Sequence, residues 1–186
     1  MKNIAIFASG GGSNAEVIMN YFKNNSEVNV AIIVCNNEKA GVLERAKTHN
    51  IPVMQIPFKG DFSEERINWL KEHVDLIVLA GYLRKIPDNL IQEFPNKIVN
   101  IHPALLPKYG GKGMYGMNVH EAVFQNNEKT SGITIHYVNQ HYDEGQIIAQ
   151  FHVDISHCKS PKEIQETVLK VEHENFASTI KKMLTS

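Results

Sequence analysis

Cysteine is nearly missing from this chain: there are two in 186 residues, at positions 35 and 158. A pair so placed offers neither a disulfide framework nor thiolate metal spacing. Cys35, inside the apolar run VNVAIIVC, reads as a buried small hydrophobe. Net charge is missing too, since 19 Lys and Arg stand against 20 Asp and Glu. A surface that holds a long polyanion needs an excess of positive charge, so nucleic acid is excluded as a main partner, while one small phosphate site is not. No apolar run approaches the roughly 20 residues needed to span a bilayer. The first strand begins at Asn3, which leaves no signal peptide before it. Repeats, low-complexity tracts and linkers are absent as well, and the length suits one well-buried domain. The expectation is a reduced, cytoplasmic protein of a single domain, with no membrane or nucleic-acid partner.

What is present is an alternation of strand and helix patterns. NIAIFA (3–8) is followed by the glycine-rich SGGGSN and then by AEVIMNYFKNN (15–25) with apolar residues at helical spacing. Strands at 28–35, 51–56 and 75–82 alternate with helices near 40–49 and 63–73; Ser63 opens the latter as a cap, with Glu64 and Glu65 in its first turn. A short helix at 87–94 leads into a strand at 97–101. Such alternation predicts an α/β fold with a doubly wound, mostly parallel sheet. After residue 110 the pattern changes. A helix at 118–127 is followed by GITIHYV (132–138) and QIIAQFHVDI (146–155), which both alternate as half-buried strands and predict an antiparallel pair. A long amphipathic helix from Ser160 to Leu184 closes the chain, with Ser160 and Pro161 as cap and first turn.

Three stretches carry chemistry. In KIVNIHPALLPKYGGKG (97–113), Asn100 and His102 lie two apart on a strand that Pro103 ends, so they face one side. An amide that binds an oxygen beside an imidazole that moves a proton, at a strand end before a long loop, is where open α/β sheets place catalysis. The glycine turn offers bare backbone N–H groups at a helix start, a ready anion site. Gly10, Gly12 and Ala15 also satisfy a loose dinucleotide spacing, but the second strand ends Cys35-Asn36-Asn37 without the expected acid, which favours a monophosphate. Asp143, in the loop between the last two strands, is either a turn former or a carboxylate that reaches His102 and raises its pKa. Of nine histidines, His136 and His141 are five apart, as are His152 and His157; none forms a helical i, i+4 pair with a carboxylate, so no metal is expected.

SGGGSN, LAGYLRKIP (79–87), NIHPALLPKY (100–109) and GITIHYVNQHYDEGQII (132–148) together resemble the folate-dependent formyltransferases of the phosphoribosylglycinamide type over nearly the whole chain. The resemblance implies a Rossmann-like formyltransferase fold. It implies formyl transfer from 10-formyltetrahydrofolate, as co-substrate, to the amine of glycinamide ribonucleotide in purine synthesis, without metal. The family's catalytic Asn, His and Asp match Asn100, His102 and Asp143. Its ribonucleotide and phosphate contacts match Gly11, Gly12, Ser13, Asn14 and Glu172. Its folate contacts match Leu83, Arg84, Lys85, Ile86, Asn100, Val138, Tyr142 and Asp143. The N-terminal half would bind the ribonucleotide phosphate, and the C-terminal half would supply the catalytic and folate loops. Read without the family, Glu172 is a solvated helix face and Leu83 is ordinary core.

Two stretches depart from the family pattern. The segment 110–123 is longer and richer in glycine, which is expected to matter for folate-loop geometry more than for chemistry. The stretch from Phe58 to Ser63 aligns poorly, and no folate contact is carried onto it. Three rivals remain open on the sequence: a formyltetrahydrofolate hydrolase with the same triad, a methionyl-tRNA formyltransferase, and a non-catalytic phosphate- or nucleotide-binding module. Monomer and homodimer are both open.

Overall fold

The computed structural model describes residues 1–57 and 62–185. Of the stretch from Phe58 to Ser63, positions 58–61 therefore lie outside the described residues. The elements follow the predicted alternation closely: β1 (Lys2–Ala8), α1 (Ser13–Phe22), β2 (Val28–Cys35), α2 (Val42–Thr48), β3 (Val53–Gln55), α3 (Glu64–His73), β4 (Leu76–Leu79), α4 (Asp88–Glu93), β5 (Ile98–His102), α5 (Met117–Gln125), β6 (Thr130–Tyr137), β7 (Ile147–Asp154) and α6 (Pro161–Thr185). The strands form one seven-stranded sheet in the order β3-β2-β1-β4-β5-β6-β7. β1 pairs in parallel with β2 and β4, and β2 with β3, while β6 and β7 are antiparallel as expected.

The chain divides into two compact units, Met1–Val99 with Ile180–Ser186, and Asn100–Thr179. In the first, β1 and β4 read as unbroken apolar runs because both faces are covered: Ile4, Ala5, Ile6, Phe7 and Ala8 are buried, as is all of LIVL in β4. Phe7 stacks on Phe62 at 5.6 Å and meets the edge of Tyr82 at 5.4 Å, which fills the space beside the strand ends. Cys35 is fully buried, in keeping with its apolar run. The Ser63 hydroxyl accepts from the Arg66 N–H and caps α3.

In the second unit the expectation of a half-buried β6 is corrected. Ser131 through His136 are all buried. β6 is an interior strand, and its Thr134 and His136 are drawn inward by side-chain bonds rather than turned to water. Thr134 Oγ1 donates to the Ala104 carbonyl and accepts from the Leu106 N–H, and Gln150 Nε2 donates to both Thr134 and the Leu106 carbonyl. That net fastens the 104–107 loop onto β6. Gly132 is obligatory, because a Cβ there would collide with the Phe151 carbonyl. α6 starts as predicted: Ser160 Oγ accepts from the Glu163 N–H, and Glu163 Oε2 accepts from the Lys159 N–H in return.

Candidate active site

β5 delivers Asn100 and His102 to the same side, and Pro103 follows directly. The turn between β6 and β7 delivers Asp143, in a left-handed conformation at φ 57°. His102 Nδ1 lies 3.6 Å from Asp143 Oδ2, so the sequence's two candidates do meet. A histidine absent from the predicted site completes the cluster. His136 Nε2 lies 3.6 Å from Asp143 Oδ1 and 3.2 Å from Asn100 Nδ2. Its Nδ1–H donates to the Tyr137 carbonyl at 2.9 Å, which leaves Nε2 to accept from the Asn100 amide. One N–H of Asn100 is thereby spoken for, and its second is the donor an incoming oxygen can use.

Asp143 is held from three sides. Its Oδ2 accepts from the Gly111 N–H at 2.9 Å, and both imidazoles face it. Burial alone would raise its pKa, but the facing His136 and His102 imidazoles, once protonated, and the Gly111 N–H outweigh burial and hold it below the usual carboxylate value. The glycine-rich 110–116 loop, expected to matter mainly for folate-loop geometry, thus also hydrogen-bonds Asp143 directly. Gly110 admits no side chain, since a Cβ would strike Leu106 and crowd Asp143 Cβ at 3.2 Å.

His102 is only 3% exposed. Burial pushes its pKa below the ordinary 6.5; Asp143 and the Tyr109 carbonyl push upward and lose, and the neighbouring His136 adds to the lowering. The expectation that Asp143 would leave His102 with a raised pKa is thus corrected: the carboxylate acts in the expected direction, but desolvation is larger. The resting ring is neutral at pH 7 and suited to accept a proton. His120 on α5, also missed by the sequence reading, is buried with no partner for Nδ1 among the described residues. Burial and the charge of His102 lower its pKa to about 4.

The glycine turn belongs to the first unit. Gly10 and Gly11 are exposed, and Gly12 caps α1 at φ 74° with no side-chain cap. An uncapped first turn keeps its outward N–H groups for an anion. The turn is braced from behind: Arg45 Nε donates to the Gly11 carbonyl at 2.7 Å and its guanidinium pairs with Glu16, while Val42 N–H donates to the Gly10 carbonyl. A Cβ on Gly12 would lie 2.7 Å from Val42 Cβ. Ser13 opens α1, and Asn14 is half-buried in its first turn.

The remaining predicted residues separate by burial. Leu83 is 64% exposed, which overturns its reading as core; its N–H donates to Ser9 Oγ. Ile86 is buried, Arg84 donates to the Pro57 carbonyl and Lys85 pairs loosely with Asp88 at the surface. Val138 is half-buried and Tyr142 exposed. Glu172 is 8% exposed, so it is not a solvated helix face. Among the described residues no three His, Cys, Asp or Glu side chains form a group able to hold a metal ion, and no helix is long and apolar enough to cross a membrane.

The formyl transferase family profile matches residues 2–180. The chain is 41% identical to the chloroplastic phosphoribosylglycinamide formyltransferase of Arabidopsis thaliana, a match over 96% of this chain and 64% of that one. It thus spans slightly less than two thirds of that relative. It is 39% identical to the phosphoribosylglycinamide formyltransferase of Bacillus subtilis, over 99% of this chain and 95% of the other. The crystal structure of phosphoribosylglycinamide formyltransferase from Bacillus halodurans superposes with a TM-score of 0.87 at 37% identity, covering 100% of this chain and 96% of that one.

Proposed function

The chain belongs to the formyl transferase family, and on that premise we propose that it transfers the formyl group of 10-formyltetrahydrofolate to the amine of 5'-phosphoribosylglycinamide in purine synthesis. The observation that carries the proposal is the buried cluster of Asn100, His102, His136 and Asp143 on β5 and the β6–β7 turn. The amine nitrogen attacks the formyl carbon, and the carbonyl π pair moves onto oxygen. The second N–H of Asn100 receives that oxyanion; such a donor is typically worth about 2.7–4 kcal/mol of barrier. Neutral His102 takes a proton from the attacking nitrogen, and Asp143 stabilises the imidazolium so formed. The intermediate then collapses with cleavage of the bond to the folate nitrogen, which leaves with a proton returned from His102. Tetrahydrofolate and the formylated ribonucleotide are the products, and no covalent enzyme intermediate is formed.

The first unit would contribute binding: backbone N–H groups of Gly11, Gly12, Ser13 and Asn14 for the ribonucleotide phosphate, with Glu172 from the second unit on the ribonucleotide. Leu83 to Ile86, Val138 and Tyr142 would contact the folate, and the exposure of Leu83 and Tyr142 supports that use. On this reading the N-terminal half of a single formyltransferase domain holds the phosphate and the C-terminal half supplies the chemistry. We place the reaction in the cytoplasm, where the two free cysteines would stay reduced. The test is deformylation of 10-formyltetrahydrofolate followed by absorbance, with and without the ribonucleotide. Reaction only in its presence is expected. Equal reaction without it would move the assignment to a hydrolase, and no reaction in either case would leave a binding module.

A further inference from the structure

His102 has both ring nitrogens committed, and the two commitments differ in kind. Nε2 lies 2.7 Å from the Tyr109 carbonyl, a full hydrogen bond in which only the ring can donate. Nδ1 lies 3.6 Å from Asp143 Oδ2, an ion-pair distance too long for a hydrogen bond. In a neutral imidazole one nitrogen carries the proton, and the bond made by the other nitrogen decides which. We infer that Tyr109 is a positioning residue: its carbonyl pins the proton of neutral His102 on Nε2, so that Nδ1, on the Asp143 side, is the nitrogen that takes up and releases the transferred proton. This rests on the reading of His102 as the proton carrier.

The carbonyl is aimed by a strained and anchored residue. Tyr109 has φ 58°, a conformation that non-glycine residues enter at some cost. Its hydroxyl donates to Glu128 Oε1 at 2.9 Å, and Lys108 Nζ donates to the same oxygen at 3.0 Å. The ring is half-buried; with Lys108 and Glu128 it walls an open pocket of about 420 Å³, and the hydroxyl bond is a polar anchor on that side. Glu128, just beyond α5, thereby acts on His102 through Tyr109.

The test is nitrogen NMR of the imidazoles in the full-length protein, followed through a pH titration and paired with turnover. His102 is expected as the Nε2–H tautomer in the unaltered chain. Tyr109→Phe and Glu128→Ala should give a tautomer mixture, a His102 pKa lower than in the unaltered chain, and turnover reduced about tenfold with KM little changed. The groups facing His102, namely Asp143, His136 and His120, are the same in each variant. Glu128→Gln keeps an acceptor for the phenol and should retain the tautomer. An Nδ1–H tautomer in the unaltered chain would overturn the inference. So would an unchanged tautomer and pKa in folded Tyr109→Phe. Because the tautomer is read without substrate, its failure is distinguishable from failure of the proposed formyl transfer.

Discussion

The glycine turn at 10–14 and the cluster around Asp143 are built in opposite ways. The turn is mostly backbone: Gly10 and Gly11 are exposed, and Gly12 opens α1 without a side-chain cap. What it offers a ligand is amide dipoles, which carry no proton to lose and do not depend on pH. The cluster is side chain: His102 and His136 are 3% and 2% exposed, and the Asp143 side chain 11%. The contacts that hold it run between side chains, Asn100 with His136 and Asp143 with both imidazoles. On the proposed function the first region supplies affinity and the second rate, so each should be open to damage without the other.

The largest effect should come from the cluster. His102→Ala and Asp143→Asn are each expected to lower turnover by about 10²–10⁴-fold, the usual worth of acid–base catalysis, with ribonucleotide affinity from calorimetry unchanged within about twofold. Asp143→Asn carries a sign as well. Asp143 now pushes the His102 pKa upward against burial, so its loss lets that pKa fall further below 6.5. The acid limb of kcat/KM, where neutral His102 is lost, should move to lower pH even as the rate drops. A large loss of affinity with turnover preserved would reverse the assignment of roles.

Gly12→Ala damages the other region. At φ 74° an added Cβ is strained by itself, costing about 1–2 kcal/mol. Its approach to Val42 Cβ at 2.7 Å adds the cost of overpacking, about 1–3 kcal/mol. The sum, about 2–5 kcal/mol by urea denaturation, should come with weakened ribonucleotide binding and an unaltered His102 titration. A variant that binds normally would show that the turn is only a packing device between β1 and α1.

The local half of this contrast was legible in the sequence. Strand, glycine turn and helix stand in register at the N-terminus, Pro103 marks where β5 stops, and Ser160 with Pro161 marks where α6 starts, because each signal lies within a few residues of its effect. His136 was not legible: its role depends on Asn100, which is 36 residues away, and by spacing alone it was weighed only as a metal ligand. The burial of β6 escaped for a similar reason, since GITIHYV alternates like a half-buried strand, while Thr134 is held inward by Ala104, Leu106 and Gln150, which lie 16 to 30 residues away. The direction of the His102 shift needed its degree of burial, which outweighs a carboxylate that spacing alone could suggest. Glu172 and Leu83 were misread as lone residues for the same cause, one buried on a helix and one exposed in a loop.

The smallest expected effect sharpens the contrast through pH. His102, His120 and His173, whose pKa values lie below 6.5 chiefly through burial, all belong to the Asn100–Thr179 unit, so acid should act there first. For His120 the folded value is about 4 against 6.5 for an open chain. The unfolded state therefore binds the proton more readily, and the stabilisation is fully present above 6.5 and lost as pH falls toward 4. At about 1.4 kcal/mol per unit the gap amounts to about 3 kcal/mol, most of it gone by pH ~4.5. His120→Leu removes the titrating ring along with a buried Nδ1 that has no partner among the described residues. At pH 7 the variant should match or slightly exceed the unaltered chain in urea. At pH ~4.5 it should be the more stable by about 2 kcal/mol. Parallel losses in the two proteins would mean that His120 gains a partner or water on protonation, and that the acid sensitivity of this unit lies with His102 and His173.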